Sequence, residues 1–109
     1  MAGTHQPEEP EIVIVTMVFD TEHPAVLADL LAHYVVMSRG HEGCRNIDLC
    51  TSIARPGRHV VIEKWESAHH QQVHFDSPEM VAMAEGCRDL LSGPPDIDLL
   101  AGISAHDLN

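Results

Sequence analysis

The sequence predicts an α+β fold in the order β-α-β-β-α-β, one antiparallel sheet covered by helices on a single face. Three observations carry that reading. Residues 11–19, EIVIVTMVF, form a near-continuous β-branched apolar run that suits a central strand buried on both faces. Residues 44–66 hold two strand-like segments that meet at Arg55-Pro56-Gly57-Arg58, a hairpin turn by composition. Residues 25–39 and 77–91 repeat apolar side chains at helical spacing, with Pro24 just before the first stretch and Pro78 near the start of the second.

The elements follow in order. Asp20 to His23 makes a turn, and Pro24 suits a first helical position, where a missing N–H costs nothing. From Ala25 to Arg39, Leu27, Leu30, Leu31, Tyr34 and Ser38 recur as one stripe, with Val26, His33 and Met37 beside it. His41-Glu42-Gly43 breaks the helix. Cys44–Ala54 alternates, with Arg45, Ile47, Leu49, Thr51 and Ile53 on one face and Cys44, Asn46, Asp48, Cys50 and Ser52 on the other. His59–Glu66 is the return strand, sharing Val61, Glu63 and Trp65 on one face. Ser67 caps a short helix that runs to about Phe75. Ser77-Pro78-Glu79 then sets a cap, a first-turn proline and a first-turn acid in sequence. The buried face of that second piece is Met80, Met83, Ala84, Cys87, Leu90 and Leu91. Gly93 with Pro94-Pro95 stops it. Asp96–Ser104 is the last strand, with Ile97, Leu99, Ala101 and Ile103 opposite Asp98, Leu100 and Gly102. The pattern is the split βαβ of ferredoxin-like domains, expected over residues 11–104, with a flexible polar tail at 1–10 and a second polar tail at 105–109.

Composition narrows the partners. Seventeen acids against six bases give a net charge of −11, which repels a phosphate backbone and anionic lipid alike. No nucleic acid and no membrane is therefore expected. No apolar run reaches the ~18 residues of a membrane span. The start, MAGTHQPEEPE, has neither the basic nor the apolar region of a signal peptide. Cys44, Cys50 and Cys87 are odd in number and lack a CxxC spacing, which fits a reducing cytoplasm better than a disulfide framework. Helices cover one face only, yet the first strand and Leu100 put apolar side chains on both, so the bare face calls for a second copy about a two-fold axis.

Four segments in order carry a family resemblance: SRGHEGC at 38–44, VVIEKWES at 60–67, HFDSP at 74–78 and LLSGPPDIDLL at 90–100. Together they resemble the antibiotic-biosynthesis-monooxygenase (ABM) family of dimeric α+β barrels. The resemblance implies a homodimer with sheets face to face and a pocket in each subunit between sheet and helices. It implies, for one branch, oxidation of a small aromatic quinol- or anthrone-like substrate by O2 without metal, flavin or other cofactor. Other branches degrade haem, isomerise small signalling molecules or bind small ligands, so the fold does not fix the reaction.

Cofactor-free oxygenation needs a base, hydrogen bonds that steady the substrate anion, and a dry apolar pocket. His74 is the candidate base: it follows Trp65 by nine residues, near the strand-to-helix junction, and its intrinsic pKa suits the task. An ordinary helix histidine is the plainer alternative. Trp65 supplies a wall and one N–H, or simply core. Tyr34 is placed to hold a substrate oxygen, or to pack with its hydroxyl at the rim. Thr16 is placed to aim its hydroxyl into the pocket from mid-strand. Phe75, Met80 and Met83 line an adaptable cavity, or plain core. Glu63, if buried, needs a partner, expected to be Arg45 or Arg58. His70 and His74 share a helical face with Glu66 one turn earlier, but without HExxH, CxxC or a distant third ligand no metal is expected. Haem-degrading relatives imply an asparagine on the first strand, a tryptophan ending the third and an axial histidine. Trp65 and His74 fit two of these, whereas Thr16 stands in the asparagine's place.

Overall fold

The computed structural model describes residues 11–104; the tails expected at 1–10 and 105–109 lie outside the described residues. The elements are β1 (Val13–Asp20), α1 (Pro24–Ser38), β2 (Cys44–Thr51), β3 (Arg58–Trp65), α2 (Ala68–Phe75), α3 (Pro78–Cys87) and β4 (Asp96–Ala101). The sheet order is β2-β3-β1-β4, antiparallel throughout, which is the ferredoxin-like arrangement. The most apolar segment, β1, is paired on both sides, as its composition requires.

Local chemistry sets the helix starts. Pro24 and Pro78 open α1 and α3, and the Ser67 and Ser77 hydroxyls accept the backbone N–H groups of His70 and Met80 at 3.1 and 3.2 Å. Each such cap contributes about 1 kcal/mol. Against the helices β1 turns Val15, Met17 and Phe19, while β3 turns Val61, Glu63 and Trp65. These meet Leu27, Leu31, Tyr34 and Val35 of α1 and Met80, Met83 and Cys87 of α3 in one core. Burial of side chains of this size stabilises by roughly 1.5–3 kcal/mol each.

Strict alternation along β2 does not hold. A bulge between Cys44 and Asn46 pairs Cys44 with Trp65 and Asn46 with Lys64. Cys44 consequently joins Ile47 and Leu49 on the helix side, and Arg45 is turned out to line the bare face with Ile62 and Lys64. The strands also end earlier than expected, leaving Ile53 and Ile103 exposed beyond β2 and β4. α3 ends at Cys87, and Leu90 and Leu91 reach the core from the turn that follows.

The second face of the sheet carries Ile14, Thr16, Val18, Val60, Ile62 and Leu100, and among the described residues no helix lies over it. Ile62 and Leu100 are 39% and 44% exposed there. Among the described residues no helix is long and apolar enough to cross a membrane.

Candidate active site

A carboxylate buried mid-sheet anchors the site. Glu63 is 2% exposed, and such a group is tolerated only where hydrogen bonds replace the lost water. The Trp65 indole N–H donates to its Oε1 at 2.9 Å, and the Tyr34 hydroxyl donates to its Oε2. Neither expected arginine is its partner. Arg58 instead forms a two-pronged pair with Asp20, both contacts at 2.8 Å, and the bulge has put Arg45 on the opposite face. Burial pushes the Glu63 carboxyl above its ordinary range, opposed by the hydrogen bonds from Tyr34 and Trp65. Burial, then the Glu63 charge, pushes the Tyr34 hydroxyl up as well.

His74 closes over this pair from α2. The cap at Ser67 orients α2 so that Gln71 and His74, one turn apart, face inward. The His74 ring stacks on Trp65 with centroids 4.5 Å apart and planes 27° apart. Its Nε2 lies 2.7 Å from the Tyr34 hydroxyl and its Nδ1 lies 2.8 Å from Nδ1 of His41. Burial, then the nearby His41, lowers the His74 pKa from its usual 6.5 to about 4. The near-neutral basicity expected of this side chain is therefore absent, and the ring is neutral at pH 7.

His41 stands in the turn between α1 and β2, and its Nε2 lies 3.1 Å from Oε1 of Glu79 on α3. Gly43 makes that turn possible. Its φ is +82°, and a Cβ there would sit 2.2 Å from the His70 ring. Its carbonyl accepts the Glu66 N–H at 2.8 Å, tying the turn to the end of β3.

Two cavities flank α3. One, of about 390 Å³, is lined mainly by apolar side chains, among them Met17, Phe19, Met80 and Leu91. The other, of about 300 Å³, lies between α1 and α3 against Leu30, Tyr34, Met37 and Glu79. Met83 lines both. A third hollow of about 400 Å³ opens over His41, His74 and Glu79 from outside.

The structure thus brings together His74, Trp65 and Tyr34 and sets Met83 between the two cavities. It does not bring Thr16 or Phe75. Thr16 alternates with the core residues of β1 and faces the bare side, opposite Ile62 and Asp98. Phe75 points outward from the end of α2 and is 41% exposed. Sequence reasoning left out His41 and Glu79 and gave Glu63 a purely structural part. The signal for Glu63 was its place between two buried residues of a strand. For His41 it was only its position beside a helix-breaking glycine.

The sequence profile of the family described as antibiotic biosynthesis monooxygenase matches residues 10–86. The chain belongs to the ABM family. No curated protein matches it. Among solved structures, Rv0793 from Mycobacterium tuberculosis is 26% identical, with a TM-score of 0.81 over 88% of this chain and 99% of that one. A protein of Nitrosomonas europaea described as a candidate antibiotic biosynthesis monooxygenase has a TM-score of 0.83 at 12% identity, over 94% of this chain and 100% of that one. PA3566 from Pseudomonas aeruginosa has a TM-score of 0.80 at 20% identity, over 89% and 99%. At the lower identities the likeness is one of fold. The ABM match ends at Gly86, so all the residues of the buried cluster fall inside it.

Proposed function

We propose that this ABM-family chain is a cofactor-independent monooxygenase that oxidises a small aromatic, quinol- or anthrone-like substrate with O2. One observation carries the reading: a buried, neutral His74 is stacked on Trp65 and bonded to Tyr34, which lines a mainly apolar cavity of about 300 Å³ with His33 and Glu79 on its wall. That volume suits one small aromatic ligand. The substrate enters between α1 and α3 with a phenolic or enolic oxygen at the Tyr34 hydroxyl. Tyr34 passes a proton to Nε2 of His74 as it receives one from the substrate. The resulting anion is electron-rich enough to give an electron to O2, and the apolar walls keep water from the reactive pair. For an anthrone, one ring methylene and one O2 become one ring carbonyl and one water. Both methylene hydrogens leave in that water with one oxygen atom, and the other oxygen atom stays on the ring carbon.

Trp65 holds His74 in plane and Met83 shapes the wall. Thr16 belongs instead to the bare sheet face, through which two copies pair. With its free cysteines and acidic charge, the chain works as a cytoplasmic homodimer, with no nucleic-acid or membrane partner.

Haem fits this site poorly. Both ring nitrogens of His74 are engaged, so axial ligation requires breaking the network, and β1 has no asparagine. Turnover under ¹⁸O2 tests the reading: one labelled atom in the organic product supports it. A rearranged product carrying no label identifies the site as an isomerase instead.

A further inference from the structure

The hydrogen bonds around His74 continue at both ends. From inside outward they run Trp65, Glu63, Tyr34, His74, His41, Glu79, and every link is a direct contact. Exposure rises along the line, from 2% at Glu63 and Tyr34 and 3% at His74 to side chains 25% and 30% exposed at His41 and Glu79. A buried carboxyl is thereby joined to the solvent-facing hollow through α1, α2 and the turn between α1 and β2.

Hydrogen-bond roles along the line are tightly constrained. A neutral imidazole has one donor and one acceptor nitrogen, a tyrosine one donated proton, and the Trp65 N–H only donates. Glu79 as a carboxylate accepts from Nε2–H of His41. With His74 neutral, two complete patterns then remain, with the same total of protons. In the first, the Glu63 carboxylic acid donates to Tyr34, Tyr34 donates to Nε2 of His74, and His74 donates from Nδ1 to a neutral His41. In the second, His41 is an imidazolium and donates from Nδ1 to Nδ1 of His74. His74 donates from Nε2 to Tyr34, and Tyr34 donates to a Glu63 carboxylate.

The patterns interconvert by three short hops: Glu63 to Tyr34, Tyr34 to His74, His74 to His41. At each hop one O–H or N–H bond breaks as the next forms. Tyr34 and His74 end with the charge they began with, and no oxidant or reductant takes part.

We propose that Glu63, Tyr34, His74, His41 and Glu79 form a proton conduit, in which Glu63 and His41 share one mobile proton and Glu79 anchors the outer end. The conduit exists in the free protein. Its use in turnover rests on the oxidation reading above, where it explains how a weakly basic His74 serves as acceptor: the proton does not stay there but leaves through His41.

The surroundings fit both resting places. Glu63 faces Tyr34 from α1, His74 from α2, Trp65 on its own strand and Cys44 on β2, whose thiol burial and the Glu63 charge push up. His41 faces Glu79 from α3 and His74 from α2, with Glu42, His69 and His70 in the same hollow. Among the described residues no lysine or arginine faces Glu63 with these groups, so its charge is balanced only when the shared proton is near.

Infrared spectra of the substrate-free protein read the Glu63 end, with Glu63→Gln assigning the carboxyl stretch, and ¹⁵N-histidine NMR reads His41 and His74. The expected result is complementary signals: as temperature shifts the balance, the carboxyl band and the His41 imidazolium signal change in opposite directions by the same amount, while His74 stays neutral and changes tautomer. Tyr34→Phe keeps the ring but cuts the line, and the two signals then vary independently. Glu79→Gln removes the charge at the outer end, moves the shared proton toward Glu63 and strengthens the carboxyl band. Glu63 and His41 signals that vary independently in the wild type overturn the proposal, as does a carboxyl band indifferent to both substitutions. In turnover, His41→Ala slows the rate at least about tenfold and added imidazole restores it. Absence of any oxygen uptake counts against the oxidation reading alone, because the spectra decide the conduit without substrate.

Discussion

The Tyr34 hydroxyl and the His74 ring, forty residues apart in the chain, meet 2.7 Å apart in the core. One comes from the middle of α1 and the other from the inward face of α2, and both close on Glu63 of β3. Three elements thus bring polar groups to one point beside the apolar core.

That convergence makes Tyr34 the most informative single substitution. Tyr34→Phe leaves the packing but strips one partner from Glu63 and one from His74. The expected cost is about 1–3 kcal/mol in urea unfolding, together with a fall in kcat of about a hundredfold or more. Full activity in a stable Tyr34→Phe protein contradicts the role given to its hydroxyl.

The pH dependence of stability follows from two opposed groups. His74 has its folded pKa lowered from 6.5 to about 4, so the unfolded chain takes up that proton more readily, and stability falls as pH drops from about 6.5 to 4. Taken alone this amounts to about 3 kcal/mol. Glu63 is shifted upward; its contribution is fully present below its unfolded value of 4.5 and is lost as pH rises through its folded pKa. The two partly cancel in the wild type. Glu63→Gln removes the compensation, so its unfolding free energy declines more steeply than wild type between pH 6.5 and 4. Parallel curves count against the assigned shifts.

Gly43 holds the outer end of the site. Gly43→Ala puts a Cβ into the His70 ring at a φ of +82°, costing about 1–3 kcal/mol in strain and displacing His41. The contact between the His41 and His74 rings, visible as a nuclear Overhauser effect, is expected to weaken. An unchanged signal shows that the turn does not set the His41 position.

Pairing of two copies through the bare sheet face predicts that Ile62→Asp, at a half-exposed position away from the helix-side core, yields monomers. Analytical ultracentrifugation at micromolar concentration reads this directly. A wild-type monomer, or a variant dimer as tight as wild type, removes this face from the assembly.

How much of this was legible in the sequence varies by residue. Tyr34 was readable because helical spacing put it on a stripe with Leu27 and Leu31, and Glu63 and Trp65 because alternation put them beside Val61. Their convergence with His74 was not readable, since it depends on how α2 packs across β3, which no local pattern encodes. Thr16 was misplaced because a strand apolar on both faces gives no alternation to say which side meets the helices; its partners Ile62 and Asp98 settle the side. The expected Glu63–Arg45 pair failed for a more local reason: the bulge at Cys44/Asn46 shifts the register at the start of β2, so Cys44 joins Ile47 and Leu49 on the helix side and Arg45 turns to the other face. His41 lies in a turn, where sequence periodicity is silent.

The most direct test of the central claim is oxygen consumption by chelator-treated protein given hydroquinones and anthrones, beside His74→Ala. The account predicts uptake that survives chelation in the wild type and falls by about a hundredfold or more in the variant. Uptake equal in both proteins, or none above the uncatalysed background across the panel, contradicts it.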